Sequence, residues 1–166
     1  MKVKNLRLIT LLILLLGAVG LSAQSKKEKK EQMKLVVKEL LTSEKYKIYA
    51  NTAFPMRGRS IPLSSPYALE VRNDSVISYL PYFGRAYSIP YGGGEGLVFK
   101  APLKDYIMEP GKKGSSKIKF SARTAEDKYD FSISVFDNGA ASIDVMMQNR
   151  QSISFSGEMD TKAAEK

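Results

Sequence analysis

The sequence predicts an α+β fold in which an N-terminal helix packs on a mostly antiparallel β-sheet of about seven to nine strands, curved into a sandwich or a partly open barrel. Two observations predict it. An apolar stripe near the start of the 166-residue chain has the spacing of a helix. The apolar residues that follow alternate with a period of two, and glycine, asparagine or aspartate separate these runs, as in short antiparallel strands joined by turns.

The first 23 residues are expected to be a secretory signal peptide. A basic start precedes an apolar run at residues 8–16, and this run is too short to span a bilayer. Ala23 supplies the small residue that precedes a cleavage site. We expect the mature chain to begin at Gln24 with no membrane-spanning segment. An uncleaved N-terminal anchor is the alternative, because Leu21 stands where a small residue is favoured.

A single β-rich domain is predicted over residues 33–159. The preceding segment, residues 24–32, carries both charge signs without an apolar residue, so we expect a solvated tether or a frayed helix start. The tail at residues 160–166 is expected to be disordered. The helical stripe that begins the domain consists of Met33, Val36, Val37, Leu40 and Leu41.

Strand periodicity begins at Lys45. Two further strands, at residues 67–71 and 75–80, are expected to be joined by a turn at Asn73 and Asp74. The predicted buried face of the first strand consists of Tyr46, Ile48, Ala50, Thr52 and Phe54.

The C-terminal third predicts a four-stranded antiparallel meander over residues 117–157. A three-residue loop at 137–139 aligns the apolar faces of two strands and pairs Val135 with Ala141, whereas a two-residue loop misaligns every apolar position. We therefore expect a type I turn with Gly139 in a left-handed bulge.

The same reasoning extends this meander at both ends. Phe120 falls opposite Phe131, and a loop at residues 149–151 pairs Met147 with Ile153. The other face of the meander is rich in serine hydroxyls, and we expect it to meet water.

The composition limits both chemistry and partners. Histidine and cysteine are absent, which excludes Ser-His-Asp triads, Cys-His dyads, His or Cys metal sites, disulfides and a lipidated cysteine. No cofactor or metal motif is found, and a non-enzymatic protein is the preferred interpretation. Carboxylate chemistry stays open for a glycan hydrolase. Its candidate acids are Asp105, Glu109, Asp130 and Asp144.

The charge balance favours acidic partners outside the cell. The chain carries +9 at pH 7, and three of its 26 Lys and Arg residues lie in the signal segment while all 17 acidic residues follow it, which leaves +6. Acidic glycan, peptidoglycan, lipid head groups or an envelope protein fit this charge, and solubility alone is the simpler explanation. We expect no nucleic-acid partner and a periplasmic or secreted location.

The segment at residues 79–96, YLPYFGRAYSIPYGGGEG, concentrates tyrosine, glycine and arginine. Its glycines fail the spacing of nucleotide-binding loops, and a strand rather than a helix follows them. Tyrosine with arginine is typical of recognition surfaces. The alternative is that these rings cover the core where the strands are short, with their hydroxyls at its edge. The predicted binding residues are Arg57, Arg59, Tyr82, Arg85, Tyr87 and Tyr91.

Three stretches carry a resemblance to a known family: PMRGRSIPLSS, YLPYFGRAYSIPYGGGEGLVF and NRQSISFSGEM. With the lysine-rich helix, they make nearly the whole mature chain similar to a family of exported proteins of Gram-negative gut-type bacteria, known as domain of unknown function 4251. The resemblance implies export and a β-rich domain, and it supplies no catalytic residues. We expect a binding or interaction module, with a carboxylate-dependent glycan hydrolase and a purely structural envelope protein as alternatives.

Overall fold

The structure is a computed structural model that describes residues 26–88, 96–112 and 114–162. Within these ranges one helix precedes nine strands that belong to a single antiparallel sheet. The expected signal peptide, Tyr91 and the last four residues of the expected disordered tail lie outside the described residues. The elements are α1 (26–42), β1 (Lys45–Pro55), β2 (Ile61–Pro62), β3 (Ala68–Arg72), β4 (Ser75–Leu80), β5 (Leu97–Pro110), β6 (Ser115–Arg123), β7 (Lys128–Phe136), β8 (Ala140–Met147) and β9 (Ile153–Met159).

The sheet closes into a barrel because β1 has partners on both sides. Residues 45–49 of β1 pair with β3, and residues 48–55 pair with β9, so the first and last strands join and eight strands form a ring. The short β2 adds to the far half of β1. The helix and the antiparallel sheet are as predicted, and the expected sandwich or partly open barrel is, more specifically, a closed barrel.

A bulge in β1 changes which side chains enter the barrel. The pairing with β9 shifts between Ala50 and Thr52, and an extra residue reverses the alternation of faces. Ala53 is therefore fully buried, whereas Phe54 is 44% exposed. The prediction that Phe54 shares the buried face of Tyr46 is wrong for this reason.

The helix α1 packs on the base of the barrel through the predicted stripe. Leu40 and Leu41 are buried in the same core cluster as Tyr46 at the start of β1. Burial, and then the neighbouring Tyr106 hydroxyl, raises the pKa of Tyr46 well above its ordinary value. Residues 26–32, expected to be a tether or a frayed helix start, are helical and fully exposed.

The register of the C-terminal meander confirms one loop prediction and corrects the other. Val135 pairs with Ala141, and Gly139 has a φ of 85°, as predicted. The next loop is wrong by two residues, because Val145 rather than Met147 pairs with Ile153. A shift of two residues leaves every side chain on its original face, so the apolar pattern does not distinguish the two registers.

The connections lie at the two ends of the barrel, because the strands alternate in direction. The base holds α1 and the turns after β3, β5 and β7. The opposite end, called the top here, holds the described parts of the connections 56–60, 81–96, 124–127 and 148–152. None of the helical segments described in the structure is long and apolar enough to cross a membrane.

Candidate functional site

A buried arginine lies at the centre of the top of the barrel. Arg150, only 5% exposed, donates one hydrogen bond to Glu126 Oε2 at 2.9 Å and another to the Gly96 carbonyl at 3.0 Å. Its guanidinium lies 5.9 Å from the centre of the Tyr82 ring, within reach of a cation–π interaction. Burial lowers the pKa of Arg150, but the hydrogen bond to Glu126 and nearby negative charge raise it above its ordinary value overall. The arginine thus ties three connections together as a permanent cation.

A buried aspartate fixes the loop that carries this arginine. Asp127 is 5% exposed, and its Oδ1 accepts hydrogen bonds from the backbone amides of Lys128, Gln148 and Asn149 at 2.8–3.1 Å. A carboxylate that accepts several amide bonds holds a loop firmly, because charged acceptors form stronger hydrogen bonds than neutral ones. This cap accounts for the longer connection between β8 and β9. Arg150, Glu126 and Asp127 are called the polar network below.

The polar network supports a short strand-like segment at residues 85–88. Ala86 forms an isolated β-bridge with Arg150, the Gln151 amide donates to the Arg85 carbonyl at 3.0 Å, and the Tyr87 amide donates to the Asn149 carbonyl at 2.7 Å. The backbone is therefore held while the side chains point outward. Arg85 is exposed and Tyr87 is 69% exposed.

The Tyr82 hydroxyl is engaged in hydrogen bonds within the fold, and the role of Tyr82 in binding stays a prediction. Its hydroxyl lies 2.9 Å from the Arg85 carbonyl and 3.1 Å from the Gln151 carbonyl, so it can donate to either. Burial is the largest cause that raises the pKa of Tyr82, and it raises that of the neighbouring Tyr129 as well. Tyr129 donates to the Gly96 carbonyl at 3.0 Å, beside the Arg150 bond.

The other two predicted arginines lie at the same end, on the loop between β1 and β2. Arg57 and Arg59 flank Gly58, whose φ of 107° forms the loop, and both arginines are exposed. Pro55 pairs with Ile153, and the Gln151 amide donates to the Arg85 carbonyl, so both arginine-bearing segments adjoin residues 151–153. The fold thus brings Arg57, Arg59 and Arg85 to one end.

The exposed residues Arg57, Arg59, Arg85 and Tyr87 are called the arginine rim below. Among the described residues, none of its three guanidinium groups forms an ion pair. Four grooves on the described surface are lined by residues outside the rim. Tyr91, the sixth predicted binding residue, lies outside the described residues.

Three of the four candidate acids line a shallow groove of about 400 Å³ on the outer wall of β5–β8. Asp144 and Asp105 are exposed and Asp130 is half-buried. Asp144 accepts a hydrogen bond from Ser154 at 2.6 Å, and Asp130 pairs with Lys128 at 2.9 Å. Glu109 lies outside this lining and pairs with Lys119 at 3.9 Å. The groove is on the wall, away from the tyrosine-rich segment.

No pattern in the sequence predicts the polar network. Nothing in the sequence distinguishes buried Arg150 from an exposed arginine, although NRQ opens one of the three family-like stretches. The pair Glu126–Asp127 sits between two strands, where acidic residues are ordinary loop residues. The β8–β9 connection, at residues 148–152, is two residues longer than the predicted loop, and this difference marks it as more than a simple turn.

Fold and site together define a class of protein: a closed, eight-stranded antiparallel barrel with a helix at its base and an arginine-bearing end held by a buried polar network. A family model described as "Domain of unknown function (DUF4251)" matches residues 27–159. The chain belongs to this family, as its motifs indicated.

A solved structure is similar in fold. The crystal structure of a DUF4251 family protein from Bacteroides eggerthii DSM 20697 has a TM-score of 0.61 and 16% sequence identity, over 76% of this chain and 86% of that chain. At this identity the likeness concerns the fold alone. No curated protein matches the chain.

Proposed function

We propose that this protein is a non-enzymatic binding module of the bacterial envelope, exported by its N-terminal signal to the periplasm or beyond, and that its arginine rim holds an anionic ligand. One observation carries the proposal: three exposed guanidinium groups, without an ion pair among the described residues, share the end of a barrel with an exposed tyrosine. The net positive charge of the chain favours the same partner.

The rim is suited to binding because half of it is already rigid. The backbone of Arg85 and Tyr87 is hydrogen-bonded to the loop that Asp127 fixes, so less conformational freedom is lost when a ligand binds. Guanidinium groups match carboxylate and phosphate oxygens with two parallel hydrogen bonds. A tyrosine ring offers a flat apolar face beside them. An acidic glycan, with sugar rings and carboxylate or phosphate groups, combines both requirements.

The proposal is tested by titrating the protein with acidic glycans in a calorimeter. The panel contains uronic-acid oligosaccharides, phosphorylated sugars and their neutral counterparts. Because a charge-assisted hydrogen bond contributes about 1.5–3 kcal/mol, Arg85→Gln is expected to weaken binding of an acidic ligand at least about tenfold. Arg72→Gln is the matched control, because Arg72 is an exposed arginine at the base that pairs with Glu70.

Two outcomes count against the proposal. If no acidic ligand binds, the rim has no support as a site. If Arg85→Gln and Arg72→Gln weaken binding equally, the ligand senses only net charge. A purely structural envelope protein predicts a third pattern, in which Arg85→Ala and Tyr87→Ala alter stability and nothing else.

The glycan hydrolase alternative has one supporting observation, the meeting of Asp105, Asp130 and Asp144 in one groove. Glycosidases depend on an acid that burial keeps protonated and on an ionised partner. Asp105 and Asp144 are exposed and Asp130 is ion-paired, which favours binding over hydrolysis. Release of reducing ends from the same glycan panel, abolished by Asp130→Asn, would reverse this preference.

A further inference from the structure

Five of the six lysines of α1 lie on one flank of the helix, and Lys29 lies outside it. With 3.6 residues per turn, five of them fall within about a third of the helix circumference, along about 18 Å. The glutamates Glu28, Glu31 and Glu39 fall outside this sector, toward the solvent side of the helix. The lysine flank consists of Lys26, Lys27, Lys30, Lys34 and Lys38.

This arrangement is locally unfavourable for the helix. Lys26, Lys30, Lys34 and Lys38 follow one another at intervals of four residues, and like charges at that spacing repel and destabilise a helix. All five lysines of the flank are exposed. Of these five lysines, Lys34 alone has an ion pair among the described residues, with Asp137 at 3.5 Å. A fold-stabilising role therefore does not explain the flank, whereas an external anionic partner would remove the repulsion.

The chemistry of the flank fits a diffuse anionic surface better than a single anionic group. Lysine is a flexible point charge without the planar fork that arginine offers to one carboxylate or phosphate. Residues 26–32 extend beyond the packed part of α1 and are exposed throughout. A cluster of about four to eight Lys or Arg residues on an amphipathic helix is typical of surfaces that bind anionic lipid head groups.

Insertion into the bilayer is not available to this helix. Val37, Leu40 and Leu41 of its apolar stripe are buried against the barrel, so they cannot enter lipid. The interaction must therefore be electrostatic, reversible and sensitive to salt, unlike that of an amphipathic helix that buries an apolar face.

We propose that the lysine flank of α1 docks the base of the barrel on an anionic lipid surface. Since the arginine rim lies at the opposite end of the barrel, docking at the base turns the rim away from the membrane. This site is distinct from the rim, and its test does not depend on the function proposed for the rim.

The test is co-sedimentation with lipid vesicles, using the protein from Gln24 onward, which contains every described element. Vesicles of phosphatidylcholine with about 30% phosphatidylglycerol are compared with phosphatidylcholine alone. We expect binding to the anionic vesicles only, and its loss between about 0.1 M and about 1 M salt, because the Debye length falls from about 10 Å to about 3 Å.

The decisive comparison uses two variants with the same change in net charge. The flank variant replaces Lys26, Lys27, Lys30 and Lys38 by glutamine, which has a similar helix propensity. Each lysine near an anionic bilayer strengthens binding about fivefold, so this variant is expected to bind at least about 100-fold more weakly. The wall variant, expected to lose less than about fivefold on the same scale, replaces Lys100, Lys104, Lys117 and Lys119 by glutamine.

Several results would overturn the proposal. They are equal losses in the two variants, no binding of the wild-type protein to anionic vesicles, binding that survives about 1 M salt, and equally tight binding of the flank to heparin as a soluble polyanion. Circular dichroism must show unchanged helix content and melting in both variants, because the substituted lysines are exposed. A loss of binding that accompanies a loss of helix counts against the proposal as well.

Discussion

Replacement of Arg150 by methionine is the sharpest perturbation of the polar network. Methionine matches only the apolar stem of arginine, and it removes the hydrogen bonds to Glu126 and to the Gly96 carbonyl, of 2.9 and 3.0 Å, together with the guanidinium contact on the Tyr82 ring. Removing one partner of a buried ion pair costs about 3–5 kcal/mol. The Glu126 side chain is 25% exposed and can recover part of its hydration, so we expect a loss of about 2–4 kcal/mol in the free energy of unfolding.

The assay is urea and thermal unfolding followed by circular dichroism. A loss of this size lowers the midpoint of thermal unfolding by about 5–15 °C in a domain of this length. Arg72→Met is the control, because the exposed pair of Arg72 with Glu70 contributes less than about 1 kcal/mol. If the unfolding free energy of Arg150→Met lies within about 0.5 kcal/mol of that of the wild type, the polar network does not stabilise the top of the barrel, and the reasoning from burial is refuted.

Three further predictions test the base, the closure and the titration behaviour. The buried Tyr46 hydroxyl lies beside the Tyr106 hydroxyl, but the Tyr106 hydroxyl donates to the Leu41 carbonyl, and no hydrogen bond of good geometry to Tyr46 is found among the described residues. Tyr46→Phe is therefore expected to leave the unfolding free energy unchanged or to raise it by up to about 1 kcal/mol. Tyr129→Phe, which removes the bond to the Gly96 carbonyl, is expected to lower it by about 1 kcal/mol in urea titrations; a larger loss in Tyr46→Phe would contradict the assignment. Burial raises the pKa of Tyr46 above its ordinary value of 10.0, so at high pH the folded state keeps a proton that the unfolded state releases. The unfolding free energy is therefore expected to be constant below about pH 9 and to fall above about pH 10, less steeply in Tyr46→Phe. Equal slopes of the unfolding free energy against pH in the two proteins would refute this origin. A Cβ on Gly157 would lie 1.8 Å from the Tyr49 carbonyl oxygen, whereas a Cβ on Gly58 would meet nothing within 4 Å. Gly157→Ala is therefore expected to prevent barrel closure or to cost more than about 3 kcal/mol of unfolding free energy, and Gly58→Ala to cost only about 1–2 kcal/mol through backbone strain. Similar melting temperatures of the two variants would contradict the β1–β9 pairing.

The sequence predicts the local parts of this fold well. The stripe of α1 and the loop at 137–139 depend on neighbouring residues, whose spacing is visible along the chain. Barrel closure depends on the pairing of β1 with β9, which are far apart in the sequence, and no local pattern predicts such a pairing. The bulge between Ala50 and Thr52 reverses one face of β1 without a glycine or proline to mark it.

The candidate site divides in the same way. Arg57, Arg59 and Arg85 were predicted from residue type, and the fold places all three at one end. Tyr82 was predicted as a ligand contact, but its hydroxyl clamps the backbone. Arg150 was missed because burial of a charged side chain is a property of the folded chain and leaves no trace in the composition.

The central claim is that an anionic ligand docks on the arginine rim. The most direct measurement is amide chemical-shift mapping of the isotopically labelled protein during titration with an acidic oligosaccharide. The account predicts that the largest shifts fall at residues 56–59 and 82–88 and that they disappear in the triple variant in which Arg57, Arg59 and Arg85 are glutamine. Shifts confined to α1, or to the groove lined by Asp130 and Asp144, would contradict it.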